Sequence, residues 1–147
     1  MKLSQRPRAP VAQYHRLPDV FEPVYRYTMR EGTPQDPEPL DSYLWNEDCV
    51  VYARVYADEP VYIGSTDRLL SKRITEHLRY ISSNPDPTPT KYREWAEGKR
   101  ITIVAYKPEP VKRLGREIPI HRSVEAALIK EFKPKPKGSR PWFVARA

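Results

Sequence analysis

Cysteine is nearly missing from this chain of 147 residues, where Cys49 stands alone. A lone cysteine excludes an internal disulfide and any cysteine-rich zinc site. Beside a strand it reads as a small buried residue rather than a nucleophile. Long apolar runs are missing too, so no segment is expected to cross a membrane, and the opening MKLSQRPRAP lacks the apolar segment of a signal peptide. These absences lead us to expect a soluble, intracellular protein. There is no internal repeat and no strong metal-ligand motif. Basic residues are missing from one long acidic stretch. Between Glu31 and Asp48 there is no Lys or Arg, while Glu31, Asp36, Glu38, Asp41, Glu47 and Asp48 all fall there.

The rest of the chain reverses that sign. The formal net charge is +7, so the excess positive charge lies on both sides of the acidic stretch, mostly from Arg54 onward. Such a balance favours an acidic polymer as partner, with nucleic acid the first candidate. The length suits one domain with a modest core.

Seven prolines, from Pro7 to Pro39, crowd the first 48 residues and exclude long helices there. Val20 to Met29 carries Phe21, Val24, Tyr25 and Tyr27, enough apolar surface for a short strand or a packing arm. Residues 1–48 therefore read as a proline-rich N-terminal arm, with residues 1–10 mobile, around a domain spanning 49–147. In CVVYARVYA, Val51, Ala53 and Val55 share one strand face and Val50, Tyr52, Arg54 and Tyr56 the other. A short DEP turn and VYIG complete an antiparallel hairpin. After Gly64, any of Ser65, Thr66 and Asp67 can cap a helix running from about Arg68 to Ser82. Leu70, Ile74, Leu78 and Ile81 form its buried stripe. Thr66, Leu69, Arg73, His77 and Tyr80 form a second stripe about a quarter turn away, where a helix borders a cleft.

A proline-broken loop follows, then a short helix around Lys91 to Glu97, a third strand RITIVAY, and an irregular basic connection from Lys107. The last helix, RSVEAALIKEF, turns Val124, Leu128 and Phe132 to the core with Ala127 beside them, and a basic tail ends the chain. The order strand, strand, helix, short helix, strand, helix implies an α+β fold with a small antiparallel sheet of three strands.

The polar groups expected to converge are Tyr52, Tyr62, Arg73, His77 and Glu125. Gly64 lets backbone approach a ligand without a side chain between. Phosphodiester hydrolysis needs groups of these kinds. An arginine offers charge-assisted hydrogen bonds to phosphate oxygens. A carboxylate can hold Mg²⁺ together with water and substrate oxygens. A tyrosinate or His77 can take the proton of the attacking water, but a tyrosine needs a nearby cation or metal to ionise at neutral pH. In the bland alternative, the tyrosines are ordinary strand formers and Arg73 and His77 lie on a solvated helix face. Spacing alone favours that alternative.

The words of the sequence change the balance. VVY, then YIG nine residues after its tyrosine, then STDRLLSKRITEH and VEAALIKEFKPKPKG, resemble in order and separation the four signature segments of the GIY-YIG nucleases. The resemblance covers about Val50 to Gly138. It implies a three-stranded antiparallel sheet flanked by helices and cleavage of double-stranded DNA with one divalent metal, Mg²⁺ or Mn²⁺. By position, Glu125 would hold the metal, Arg73 would bind the scissile phosphate, Tyr52 or Tyr62 would orient or deprotonate the water, and His77 would assist. Departures are Val50 for the first glycine, Ser65 where many members carry lysine, and Gly138 where asparagine is usual.

The function expected is therefore a Mg²⁺-dependent DNA endonuclease, of restriction or phage type. The alternative is a DNA-binding module that keeps the fold without cleavage. DNA contacts are expected from Ser65, Arg68 and Lys72, from Lys112 and Arg113 in the basic connection, and from Lys135, Lys137 and Arg140 in the tail. Cutting both strands with one site per chain favours a homodimer or homotetramer.

Overall fold

The computed structural model describes residues 17–134. The tail residues Lys135, Lys137, Gly138 and Arg140 and the opening residues 1–10 lie outside that range.

Five strands form one antiparallel sheet in the order β2-β1-β5-β3-β4. They are β1 (Glu22–Arg30), β2 (Thr33–Pro39), β3 (Val50–Tyr56), β4 (Glu59–Thr66) and β5 (Arg100–Tyr106). Among the described residues three helices flank the sheet: α1 (Leu70–Ser83), α2 (Pro87–Ala96) and α3 (His121–Phe132). The α+β class expected from the sequence is what forms. The expected three strands are the centre and one edge of a wider sheet, because residues 22–39 add β1 and β2 alongside β5. The prolines that exclude helix there do not exclude strand. Pro34, Pro37 and Pro39 lie on β2, an edge strand, where an absent N–H costs no ladder bond on the solvent side. Pro23 sits where the β1–β5 register shifts.

Three two-residue turns make the hairpins. Glu31–Gly32, Ala57–Asp58 and Leu114–Gly115 all have positive φ at both positions, the backbone that matches the twist of paired strands. The third turn joins β6 (Val111–Arg113) to β7 (Arg116–Ile118), so part of the connection expected to be irregular is a separate two-stranded ribbon.

Alternation along β3 divides the core. Val50 and Tyr52 join the cluster under α1 and α2, with Tyr62, Leu70, Ile74, Ile81 and Tyr92. Val51, Ala53 and Val55 join the cluster under α3, with Leu17, Phe21, Ile63, Val104 and Leu128. Both faces of β3 are buried, as its run of apolar residues requires.

Helix α1 begins at Leu70, two residues later than expected, and no side chain caps it. Thr66 Oγ1 instead accepts from the Arg68 backbone N–H at 3.0 Å, shaping the turn before the helix. Helix α2 starts at Pro87, inside the stretch expected to be loop, with proline in its first turn where a missing N–H is harmless. On α3, Leu128 is buried and Val124 and Phe132 pack partly, but Ala127 is exposed and Ile129 takes its expected place against the core.

Candidate active site

Tyr52 is the hub. Its place on β3 opposite Gly64 of β4 follows from the hairpin register, which also sets Arg54 opposite Tyr62. Tyr52, Arg54 and Tyr62 therefore share the sheet face that α1 covers. The Tyr52 and Tyr62 rings lie 6.2 Å apart, and the His77 ring stands edge-on to both, at 5.7 and 5.4 Å. The Tyr52 hydroxyl accepts from Arg73 Nε at 3.2 Å and lies 3.3 Å from His77 Nδ1. Since Arg73 can only donate, the hydroxyl hydrogen is left for His77. Arg73 and His77, four residues apart, reach the same oxygen because they share one stripe of α1.

Electrostatics follow from burial. Tyr52 is fully buried. Desolvation, with Tyr62 beside it, pushes its phenol well above the ordinary value of 10 despite the Arg73 guanidinium. It is a neutral phenol at physiological pH. Burial works against the charge of Arg73, but Tyr52, with Tyr62 and Glu76, outweighs it, and the guanidinium titrates above its usual range.

Gly64 has a different role from the one its sequence context implies. A Cβ there would come within 2.9 Å of both the Tyr52 and Tyr62 rings. The space beside Gly64 is filled by these two rings, so the glycine serves their packing rather than the approach of a ligand.

Glu125 arrives from the other face of the sheet. Ser65 points away from Tyr52, toward α3, and its hydroxyl donates to Glu125 Oε1. The two meet at β4, which is the sheet edge. A polar cavity of about 470 Å³ opens there, lined by Ser65, Asp67, Arg68, Arg73, Arg122 and Glu125. Arg73 thus faces Tyr52 on one side and shares a cavity with Glu125 on the other. Of the expected DNA contacts, Ser65 lies inside this cavity on Glu125, and Arg68 lines it while paired with Glu76. Lys72 is exposed on α1, and Lys112 and Arg113 are exposed on the β6–β7 ribbon.

Two sets of residues were not singled out by sequence. Asp67 accepts from His121 Nε2 and from the Arg122 guanidinium, which hold its carboxyl down to about 2, Arg122 contributing first. This ties the start of α3 to the turn after β4 and sets Glu125, one helical turn on, beside Ser65. Nothing in the sequence links positions 54 residues apart. The second is Arg54, a buried cation on the tyrosine face of β3; its signal was a charge in an otherwise apolar strand. Cys49 is part-buried, and burial raises its thiol, with Asp48 adding to the effect. It is a poor nucleophile. No helix among the described residues is long and apolar enough to cross a membrane.

No protein-family model and no curated protein matches the chain. Solved structures do. A bacteriophage T4 EndoII variant aligns with 24% identity over 90% of this chain and 98% of its own, at a TM-score of 0.55. The restriction endonuclease HPY188I, solved with product DNA, aligns with 16% identity over 82% of this chain and 80% of its own, at 0.45. The likeness to EndoII is one of fold, shared over nearly the whole of both chains.

Proposed function

We propose that the protein is a DNA endonuclease that hydrolyses phosphodiester bonds with the help of a divalent cation, Mg²⁺ or Mn²⁺. The observation that carries the reading is the position of Arg73, between the Tyr52–His77 pair and the cavity that holds Glu125. A scissile phosphate in that cavity would meet a guanidinium steadied by Tyr52 and would face a carboxylate. The likeness of fold to the phage endonuclease EndoII supports the same reading.

The donor set suits Mg²⁺. Glu125 and Ser65 offer hard oxygens, and Asp67 nearby is already engaged by His121 and Arg122. Among the described residues no three His, Cys, Asp or Glu side chains gather. One carboxylate is a common protein share for this ion, which takes its other ligands from water and phosphate. Charge neutralisation on the phosphate and leaving oxygen is what a cation on Glu125 supplies.

The remaining work falls to the chain. Arg73 binds two phosphate oxygens and stabilises the extra charge of the transition state, an effect worth about 10²–10³ in rate for a single well-placed donor. Tyr52, held neutral by burial, positions Arg73 and orients His77 rather than acting as a tyrosinate. The proton of the attacking water then falls to Tyr62, which lines the space beside Arg73, while His77, its acceptor nitrogen taken by the Tyr52 hydroxyl, assists through that hydrogen bond.

Purified protein with Mg²⁺ is expected to nick or cut plasmid DNA, and Glu125→Ala to abolish cutting while leaving the protein folded. Equal inertness of wild type and variant across plasmids and Mn²⁺ concentrations would overturn the reading. If salt-sensitive DNA binding survived that outcome, the chain would be a binding module that keeps the fold. Sequencing the ends of fragments cut from a large DNA separates roles: one fixed word at every end means restriction, scattered ends a phage-type degradative enzyme.

A further inference from the structure

A second cavity, somewhat larger than the one that holds Glu125, lies beside it. It measures about 530 Å³ and lies on the far side of Arg73, between β4, α1 and α2. Arg54 lines its floor, Tyr62, Tyr80 and Pro89 its walls, and Arg73 and Glu76 its approach.

Arg54 is the unusual member. It is only 7% exposed. No carboxylate among the described residues pairs with it. Its guanidinium carbon lies over the Tyr62 ring at 4.4 Å and the Tyr92 ring at 4.6 Å. Burial disfavours its charge, but the Tyr92, Tyr27 and Tyr62 side chains more than restore it. Five N–H donors therefore meet aromatic faces and phenol oxygens, and Tyr27 and Tyr92 already spend a hydrogen bond on each other at 2.7 Å. No carboxylate takes the Arg54 fork at the floor of this aromatic cavity, so a ligand with acceptors placed there would meet a buried cation directly. Tyr80, which also lines the cavity, is 46% exposed. Glu76, the acid at the mouth, is occupied by Arg68.

We propose that this cavity is a nucleotide subsite. It takes one base out of the stack, next to the phosphate held by Arg73. The base enters between Tyr62, Tyr80 and Pro89, and the N–H edge of Arg54 meets its acceptors. Guanine, whose O6 and N7 match the arginine fork, fits best. The sugar-phosphate stays at the mouth on Arg73. This extends the nuclease reading, which supplies the source of the nucleotide, and its test is independent of cleavage.

The test is calorimetric titration of the full chain, without divalent metal, with 2′-deoxyguanosine 5′-monophosphate, deoxyribose 5-phosphate and inorganic phosphate. The nucleotide is expected to bind at least ten-fold more tightly than either base-free anion. Tyr80→Ala, at an exposed position that leaves the fold alone, and Arg54→Met are each expected to weaken it at least ten-fold. If Arg54→Met fails to fold, Tyr80→Ala decides. No nucleotide binding, binding no tighter than phosphate, or an unchanged affinity in Tyr80→Ala overturns the proposal. Plasmid cutting is scored apart: a protein that binds the nucleotide but cuts nothing loses the nuclease reading and keeps the subsite, and one that cuts without binding it loses the subsite alone.

Discussion

Single atoms decide more here than residue types do. Gly64 takes no special φ, yet nothing larger fits beside it, because a Cβ would stand 2.9 Å from two buried rings. The rings are pinned between sheet and helix, so they cannot yield cheaply. Gly64→Ala is expected to cost about 1–3 kcal/mol by overpacking, read in a denaturant melt, and to lower cutting further by moving the Tyr52 hydroxyl off Arg73. A stability loss with full activity would separate the two effects and refute the second. Asp67 acts through charge instead. Its folded carboxyl titrates near 2 against an ordinary 3.8, because Arg122 and His121 hold it ionised. Its stabilising effect is thus complete above the unfolded value and is lost as pH falls from about 3.8 towards 2. The melting temperature of wild type should drop more steeply through that window than that of Asp67→Asn, and added salt should shrink the difference because the pair is exposed. Parallel profiles would remove Asp67 from the anchoring of α3.

At the scale of elements, the sequence was most readable where period and motif agreed. The alternation in VVYARVY placed Tyr52 and Arg54 on one face, and the second stripe of α1 placed Arg73, His77 and Tyr80 at a cleft, where cavity lining is found. Strand β1 was half-legible, since the apolar residues of Val20 to Met29 allowed a short strand, but its partner β2 was hidden because a proline count argues against helix, not against an edge strand. The ribbon β6–β7 was hidden because Leu114–Gly115 lacks the Asn-Gly or Asp-Gly signal of such a turn. Glu125 was legible as a residue through the four-segment resemblance, but its partner Ser65 on the opposite strand face was not, since no spacing rule relates them. The ribbon has its own prediction. Lys112, Arg113 and Arg116 are exposed on it, and Leu114 at its tip is 99% exposed. Such a strand pair is marginal alone, and its charges suit a DNA groove. Lys112→Ala with Arg113→Ala should weaken DNA binding and lower the slope of log affinity against log salt by about 2. An unchanged slope would place the ribbon away from the DNA.

For the whole molecule, the layers set a limit on what one chain can do. The sheet separates α3 from α1 and α2, and the two halves of the candidate site meet only over the outer edge of β4. Among the described residues each chain therefore offers one such edge and one Arg73–Glu125 cavity. A duplex presents its two backbones with opposite polarity, so one cavity cannot address both strands in a single binding event. We infer that cutting of both strands requires two chains, related by a two-fold axis that mirrors the duplex. Product analysis tests this whatever the recognition sequence is. At low protein concentration a supercoiled plasmid should be converted mainly to nicked circles, and linear product should rise with about the second power of concentration. Sedimentation with and without DNA should show a dimer or larger species over the range in which linear product appears. A first-order yield of linear plasmid from a species that sediments only as a monomer would mean that one chain releases, turns and cuts again, and would remove the need for a partner.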